Sequence, residues 1–344
     1  MIIDGYSHLC PPEYVNEIVK LSSINSKLGE AVKKLEWYTT VKPASSLKFT
    51  QFCDARKRVE HLDKYKIDKQ IACMIHLIDA NVLPLKEDEV VRLCRIFNDG
   101  MAEEMRKAKG RVYTTASVPL NSPHLEDEMD RAIKDLGLKG VLVPTHVHGM
   151  AIDKFSALWA RAEKLDVPVW IHPLDLETDI CRPYENEYNL MHMFGWPYET
   201  TLSASRLVFS GTMQKHPRLK VILHHLGAMI SFFSGRIMET YPASGVRVYP
   251  FVKELTKAPI DYYKMFYCDT AVGGDAGAVR TGVDFFGADH VFFGTDYPFG
   301  PGRGEGRLET YPSTVRNVMN QLQIPSDDQE KILWKNMISL AKLD

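Results

Sequence analysis

Long apolar runs are missing from this chain. No stretch approaches the roughly 18 residues that a bilayer-crossing helix needs, so nothing in it reads as a membrane span. Charge of one sign is missing as well: 42 Lys and Arg stand against 44 Asp and Glu, a formal net charge of -2. That balance gives no bulk electrostatic reason to bind nucleic acid or an anionic membrane. Cysteine is sparse. The six thiols (Cys10, Cys53, Cys73, Cys94, Cys181 and Cys268) include no Cys-x-x-Cys pair, which argues against a thiolate zinc site and against a disulfide scaffold. A reducing cytoplasm is the expected compartment, and no basic segment followed by an apolar h-region suggests a signal peptide. A Gly-x-Gly-x-x-Gly turn after the first apolar run is also absent, which counts against a dinucleotide-binding sheet.

What is present is a repeated alternation. The 344 residues, 45% hydrophobic and 25% charged, contain eight short β-like runs: 1–4, 70–77, 111–118, 139–144, 167–172, 219–225, 265–270 and 290–296. Most are near-continuous apolar runs, as strands are when a parallel sheet is covered on both faces. Amphipathic patterns at 87–109, 123–136, 153–165, 200–215 and 276–286 separate several of them, and a Ser/Asp-capped segment from 326 reads as a closing helix. Strand–helix alternation repeated about eight times predicts one α/β domain spanning 1–344, a distorted (β/α)8 TIM barrel. Residues 11–63 exceed a single barrel helix and are expected to be a mostly helical insertion after strand 1, forming a lid over the mouth. A second long connection, 175–199, is rich in aromatic and charged residues, as functional loops often are.

In such a barrel the C-terminal strand ends carry the site. Polar residues at those ends are His8, His172, the pair His224 and His225, and Asp296. Imidazoles and a carboxylate on separate strand ends suit a borderline-soft divalent metal with an open position. A rival pair is His146 and His148 in THVHG, with substrate contact more expected of them than ligation. His76 stands near the end of strand two as a further pocket candidate.

These stretches carry a resemblance. IDGYSHLCPPEY at the start, RIFNDGMAEEMRKAKGRVYTTASVPL at 95–120, VPVWIHPLD at 167–175, the run from FGWPYE to SGRI at 194–237, and VFFGTDYPFG at 291–300 resemble the decarboxylase-like branch of the amidohydrolase superfamily. That group includes aminocarboxymuconate-semialdehyde, resorcylate and carboxyvanillate decarboxylases. The resemblance spans nearly the whole chain and implies one catalytic divalent ion, zinc first and manganese second. By it His8, His172 and Asp296 match metal ligands, and His225 matches the histidine that handles protons. His224 is expected to pack between strand and helix, because neighbouring strand residues face opposite sides.

The chain departs from that family at Tyr6, where the family carries histidine or glutamate. Tyr6 could ligate as phenolate, donate a hydrogen bond as neutral phenol, or fill space; the neutral donor to a bound water or substrate is preferred. By resemblance Arg58 matches a substrate-binding arginine, with Arg56 its near neighbour, and Arg236 matches an arginine that reaches a neighbouring protomer's site. A homodimer or higher homo-oligomer follows from that match. Trp196, Tyr198 and Glu199 are expected at the lid and dimer contact, Trp196 also touching substrate. The implied activity is non-oxidative decarboxylation of a small aromatic or unsaturated carboxylic acid. A hydrolase of an amide, ester or lactone, with Asp296 shuttling the proton, and a degenerate ligand-binding barrel are the alternatives.

Overall fold

A computed structural model of the chain describes residues 1–39, 53–74, 78–174, 190–246, 255–299 and 305–344, without the side chains of 33–39, 241–246 and 305–307. Among the described residues eight barrel strands follow one another as β1 (Ile3–His8), β2 (Lys69–Cys73), β3 (Val112–Thr114), β4 (Val141–Pro144), β5 (Pro168–His172), β6 (Lys220–Leu223), β7 (Tyr267–Asp269) and β8 (Val291–Phe292). Every pairing between neighbours is parallel. Two sheets result, β1-β2-β3 and β4-β5-β6-β7-β8.

Two irregular seams join those sheets into a closed barrel. After β3, Ala116 bridges Val141, with Ala116 N donating to Gly140 O at 2.8 Å and Leu142 N to Ala116 O at 3.0 Å. After β8, Tyr297 bridges Ser7; Gly5 N donates to Phe293 O (2.8 Å), Asp296 N to Tyr6 O (2.9 Å) and His8 N to Tyr297 O (2.7 Å). The eighth run is therefore a regular strand for only two residues. It then continues as bonded but unpleated backbone, because Asp296 lies in the left-handed region at φ 60°. All six residues of β1 and all five of β5 are buried, which explains the absence of a clean polar–apolar alternation in the sequence.

Between β1 and β2, three helices lie among the described residues: α1 (Pro12–Ile24), α2 (Ser26–Thr39) and α3 (Ala55–Lys64). Pro12 opens α1, where its missing N–H costs nothing, and the Asp54 side chain caps α3 by accepting from Arg56 N. Next comes α4 (Glu87–Lys107), with Glu87, Asp88 and Glu89 in its first turn and Arg106 and Lys107 in its last, charges that complement the helix dipole. Residues 123–136 are a helix Leu125–Asp130 running into a wider turn at Arg131–Asp135, and 276–286 is a helix as expected. The helix expected at 200–215 instead starts at Trp196, ends at Phe209, and is broken by Gly211 at φ 77°.

The C-terminal helical segment closes the barrel wall: Asn336 Nδ2 donates to Val291 O at 2.7 Å. Gly5 is obligatory there, since a Cβ would stand 2.4 Å from Met337 Cε and 2.6 Å from the Phe292 ring. No helix among the described residues is long and apolar enough to cross a membrane.

Candidate metal centre

The residues at four strand ends converge. His8, 1% exposed, ends β1. Its Nδ1 faces Met74 O at 2.9 Å, and its Nε2 lies 3.1 Å from Asp296 Oδ1. His172 ends β5 with Nδ1 on Pro173 O at 2.8 Å, its ring 5.7 Å from that of His8. Tyr6, fully buried, lies among them: its ring is 5.0 Å from His8, 6.3 Å from His172 and 6.3 Å from His225.

His224 belongs to this cluster, which corrects the expectation that it packs between strand and helix. Its ring is stacked on Tyr6 at 3.8 Å and lies 5.1 Å from His172. The alternation argument failed because β6 ends at Leu223. From there the backbone turns through left-handed conformations at His225 (φ 56°), Leu226 (φ 53°), Gly227 (φ 70°) and Ala228 (φ 59°). Two successive side chains off such a turn need not face opposite sides. His225, its side chain 30% exposed, stands 6.0 Å ring to ring from His224.

Asp269, the last residue of β7, anchors both histidines. Its Oδ2 lies 3.1 Å from His224 Nδ1, and its Oδ1 accepts from His225 N at 3.2 Å. Burial opposes its ionisation, but the hydrogen bonds from His224 and His225 outweigh burial and hold the carboxyl well below the usual range. Burial keeps the His224 imidazole below its usual pKa despite Asp269. The pair is therefore an ionised carboxylate accepting Nδ1–H from a neutral ring. Burial, then Asp296 and Asp269, pushes the Tyr6 hydroxyl well above its ordinary 10.0, so Tyr6 is a neutral phenol here. Asp269 was missed in the sequence, although the rule that picked out Asp296 applies equally to the end of MFYCDT.

Among the described residues, no three His, Cys, Asp or Glu side chains stand as a ready metal cage; His8 and Asp296 are hydrogen-bonded to each other instead. The donor set nevertheless fits a divalent cation. Tyr6 Oη and His224 Nε2 are buried with no hydrogen-bond partner, and orphaned polar atoms at a cluster of imidazoles and a carboxylate are what an absent ion leaves.

Arg58 is not at the mouth, a second correction. It is fully buried in the barrel wall, donating to His8 O (2.6 Å), Gln70 Oε1 (2.6 Å) and Ser7 Oγ (3.3 Å), with its guanidinium 4.3 Å above the Tyr297 ring. Gln70 in turn donates to Asp4 Oδ2 at 2.6 Å, and Asp4 also accepts from Thr295 N and Oγ1 at 2.9 and 2.6 Å. This chain of bonds ties α3, β2, β1 and the β8 seam together, so Arg58 holds the backbone of a site residue and offers no face to substrate. Its neighbour Arg56 is exposed and paired with Asp54.

His146 sits on a small hairpin after β4, Nε2 3.5 Å from the buried Glu199 Oε1, which also accepts from Thr145 Oγ1. His148 is exposed at φ 47°. Trp196 presents its ring edge to His172 at 5.9 Å, and Tyr198 is 41% exposed. Arg236 is exposed on the helix Ser234–Val246. His76, Cys181 and most of the 175–199 connection lie outside the described residues.

Residues 79–338 match the family described as amidohydrolase. The chain belongs to the amidohydrolase family. This amidohydrolase is 27% identical over 310 residues to a gamma-resorcylate decarboxylase of Polaromonas sp., covering 84% of this chain and 87% of that protein. Its fold matches a 5-carboxyvanillate decarboxylase of Sphingomonas paucimobilis with a TM-score of 0.84 at 20% identity, covering 100% of this chain and 99% of that one. A 5-carboxyvanillate decarboxylase of Novosphingobium aromaticivorans, complexed with manganese and 4-hydroxy-3-methoxy-5-nitrobenzoic acid, also matches at 0.84 and 20% identity over 100% and 96% of the two chains.

Proposed function

We propose that this amidohydrolase is a metal-dependent, non-oxidative decarboxylase of a small aromatic carboxylic acid. The observation that carries the reading is the convergence of His8, His172 and Asp296 on the buried, neutral Tyr6. The named decarboxylases among its relatives support the reaction class. His8, His172 and Asp296 would hold one divalent ion, zinc or manganese. That ion would supply positive charge to grip substrate oxygens and stabilise the charge left as the carbon–carbon bond breaks.

The chain's own groups do the rest. His225, partly open to the mouth and anchored through its backbone on Asp269, delivers a proton to the carbon from which CO2 departs, so that R–COO⁻ and H⁺ yield R–H and CO2. Tyr6 donates its hydroxyl hydrogen to a substrate oxygen or bound water. Trp196 and His146 line the approach, where an aromatic ring can be held in a reactive pose. Helices α1 and α2 cover the mouth as a lid.

Arg236 serves a neighbouring protomer in a homodimer. Phe194, 62% exposed, and Phe232, 78% exposed, are apolar surface of the kind such an interface covers. The buried free thiols Cys10, Cys53, Cys73, Cys94 and Cys268 support a cytoplasmic setting.

The test is CO2 release from gamma-resorcylate and 5-carboxyvanillate by the purified, metal-loaded chain, before and after chelation. Release that stops on chelation and returns with metal is the expected result; equal release from metal-free protein would defeat the reading.

A further inference from the structure

One buried group of the cluster has no task in that chemistry. His224 is 1% exposed, its Nδ1 is bonded to Asp269, and its Nε2 has no hydrogen-bond partner. We propose that His224 is itself a ligand of the metal, supplying from β6 the donor that Tyr6 does not supply from β1, and that Asp269 is the carboxylate orienting it. This rests on the reading that a divalent ion is held by His8, His172 and Asp296.

Three observations support the assignment. First, the ring nitrogen is an acceptor in need of a partner. With Nδ1–H given to the Asp269 carboxylate, Nε2 carries the lone pair, and a buried lone pair left unused is costly. A cation satisfies it. Second, His224 is oriented in the same way as its neighbours. His8 has Nδ1 on Met74 O, His172 has Nδ1 on Pro173 O, and His224 has Nδ1 on Asp269 Oδ2. Metal-binding histidines commonly donate the distal N–H to a carbonyl or carboxylate, which fixes the tautomer and aims the other nitrogen. Third, the ring is held in place. It is stacked on Tyr6 with 25° between planes, and lies 5.1 Å from His172.

Tyr6 then has a dual consequence. Its ring stands where the family carries a ligand, and that flat ring is the surface against which the His224 imidazole rests. The resulting set of three imidazoles and one carboxylate remains within the ligand chemistry of zinc, cobalt or manganese.

The test loads the full chain with Co(II) and counts imidazoles by X-ray absorption, alongside Co(II) affinity by equilibrium dialysis. Wild type is expected to show three imidazoles and His224→Ala two. Asp269→Asn should weaken affinity about 10–100-fold, and His224→Ala by more. Two imidazoles in wild type, or three with unchanged affinity in His224→Ala, would overturn the assignment. The wild-type count does not depend on any variant folding. Wild-type protein that takes up no metal would instead remove the metal-dependent reading itself, together with this one.

Discussion

The ring of Tyr6 lies on the imidazole of His224, centroids 3.8 Å apart, and both side chains end in a buried polar atom without a hydrogen-bond partner. A residue from the first strand and a residue from the turn after the sixth thus share one desolvated spot. Two orphaned groups would be a liability in a plain core, because each costs stability. Their placement between His8, His172 and Asp269 makes sense when the spot has an occupant.

Tyr6→Phe separates the two contributions of that hydroxyl. Removing an unsatisfied buried hydroxyl should stabilise the metal-free protein by about 1 kcal/mol. Losing a donor to a charged substrate or water should lower kcat/KM by about 10–100-fold. Urea melts and steady-state rates read the two effects independently. Unchanged stability and rate would reduce Tyr6 to space filling.

Arg58→Ala distinguishes a wall residue from a substrate anchor. As a buried wall residue, Arg58→Ala should cost about 3–5 kcal/mol in stability, from the cavity it leaves and the buried acceptors it leaves unpaired. KM of the folded fraction for the carboxylic acid should stay the same. A large rise in KM at unchanged stability would put the guanidinium back at the substrate.

Much of this was legible in the sequence, and the failures have physical causes. The eight strands were visible because apolar runs mark strands buried on both faces, and His8, His172 and Asp296 were visible because polar residues end those runs. His224 was misplaced because pleat alternation applies only while the chain stays extended, and φ turns positive at His225. Arg58 was misplaced because spacing places a residue on a helix but not the Tyr297 ring and His8 carbonyl that enclose it. The β8 seam was overlong as a strand because nothing local announces a left-handed Asp296.

Gly294 lies where Tyr6 and Asp269 approach each other. A Cβ there would stand 2.7 Å from Asp269 Cβ and 3.1 Å from Tyr6 Cβ. Gly294→Ala should therefore destabilise by about 1–3 kcal/mol through overpacking and weaken metal uptake by displacing Asp269. Thermal melts and metal analysis check both; unchanged values in both would show that the contact yields freely.

Asp79 gives the pH dependence a sign. Burial pushes its carboxyl from 3.8 up to about 6, opposed by hydrogen bonds from Asn81 and Ser117, and its Oδ2 is buried without a partner. A raised folded pKa means the favourable, neutral form is fully present below the ordinary value, and its contribution is lost as pH rises through about 6. The stability of wild type relative to Asp79→Asn should therefore fall by about 2 kcal/mol between pH 4 and pH 7. Asp4, also raised to about 6 by burial against its hydrogen bonds, is common to both proteins and cancels in the difference. Denaturant melts across that range measure it; a constant difference, or a rise, would contradict the burial argument.

As a decarboxylase, this amidohydrolase breaks a carbon–carbon bond and reprotonates the carbon left behind. The most direct measurement is turnover of an aromatic carboxylic acid such as gamma-resorcylate by metal-loaded protein in deuterated, oxygen-18 water, with the product analysed by mass spectrometry. Decarboxylation predicts release of CO2 and one deuterium on the ring carbon that bore the carboxylate, with no oxygen-18 newly bonded to the product. Oxygen-18 incorporated without CO2 release would contradict it and identify a hydrolase.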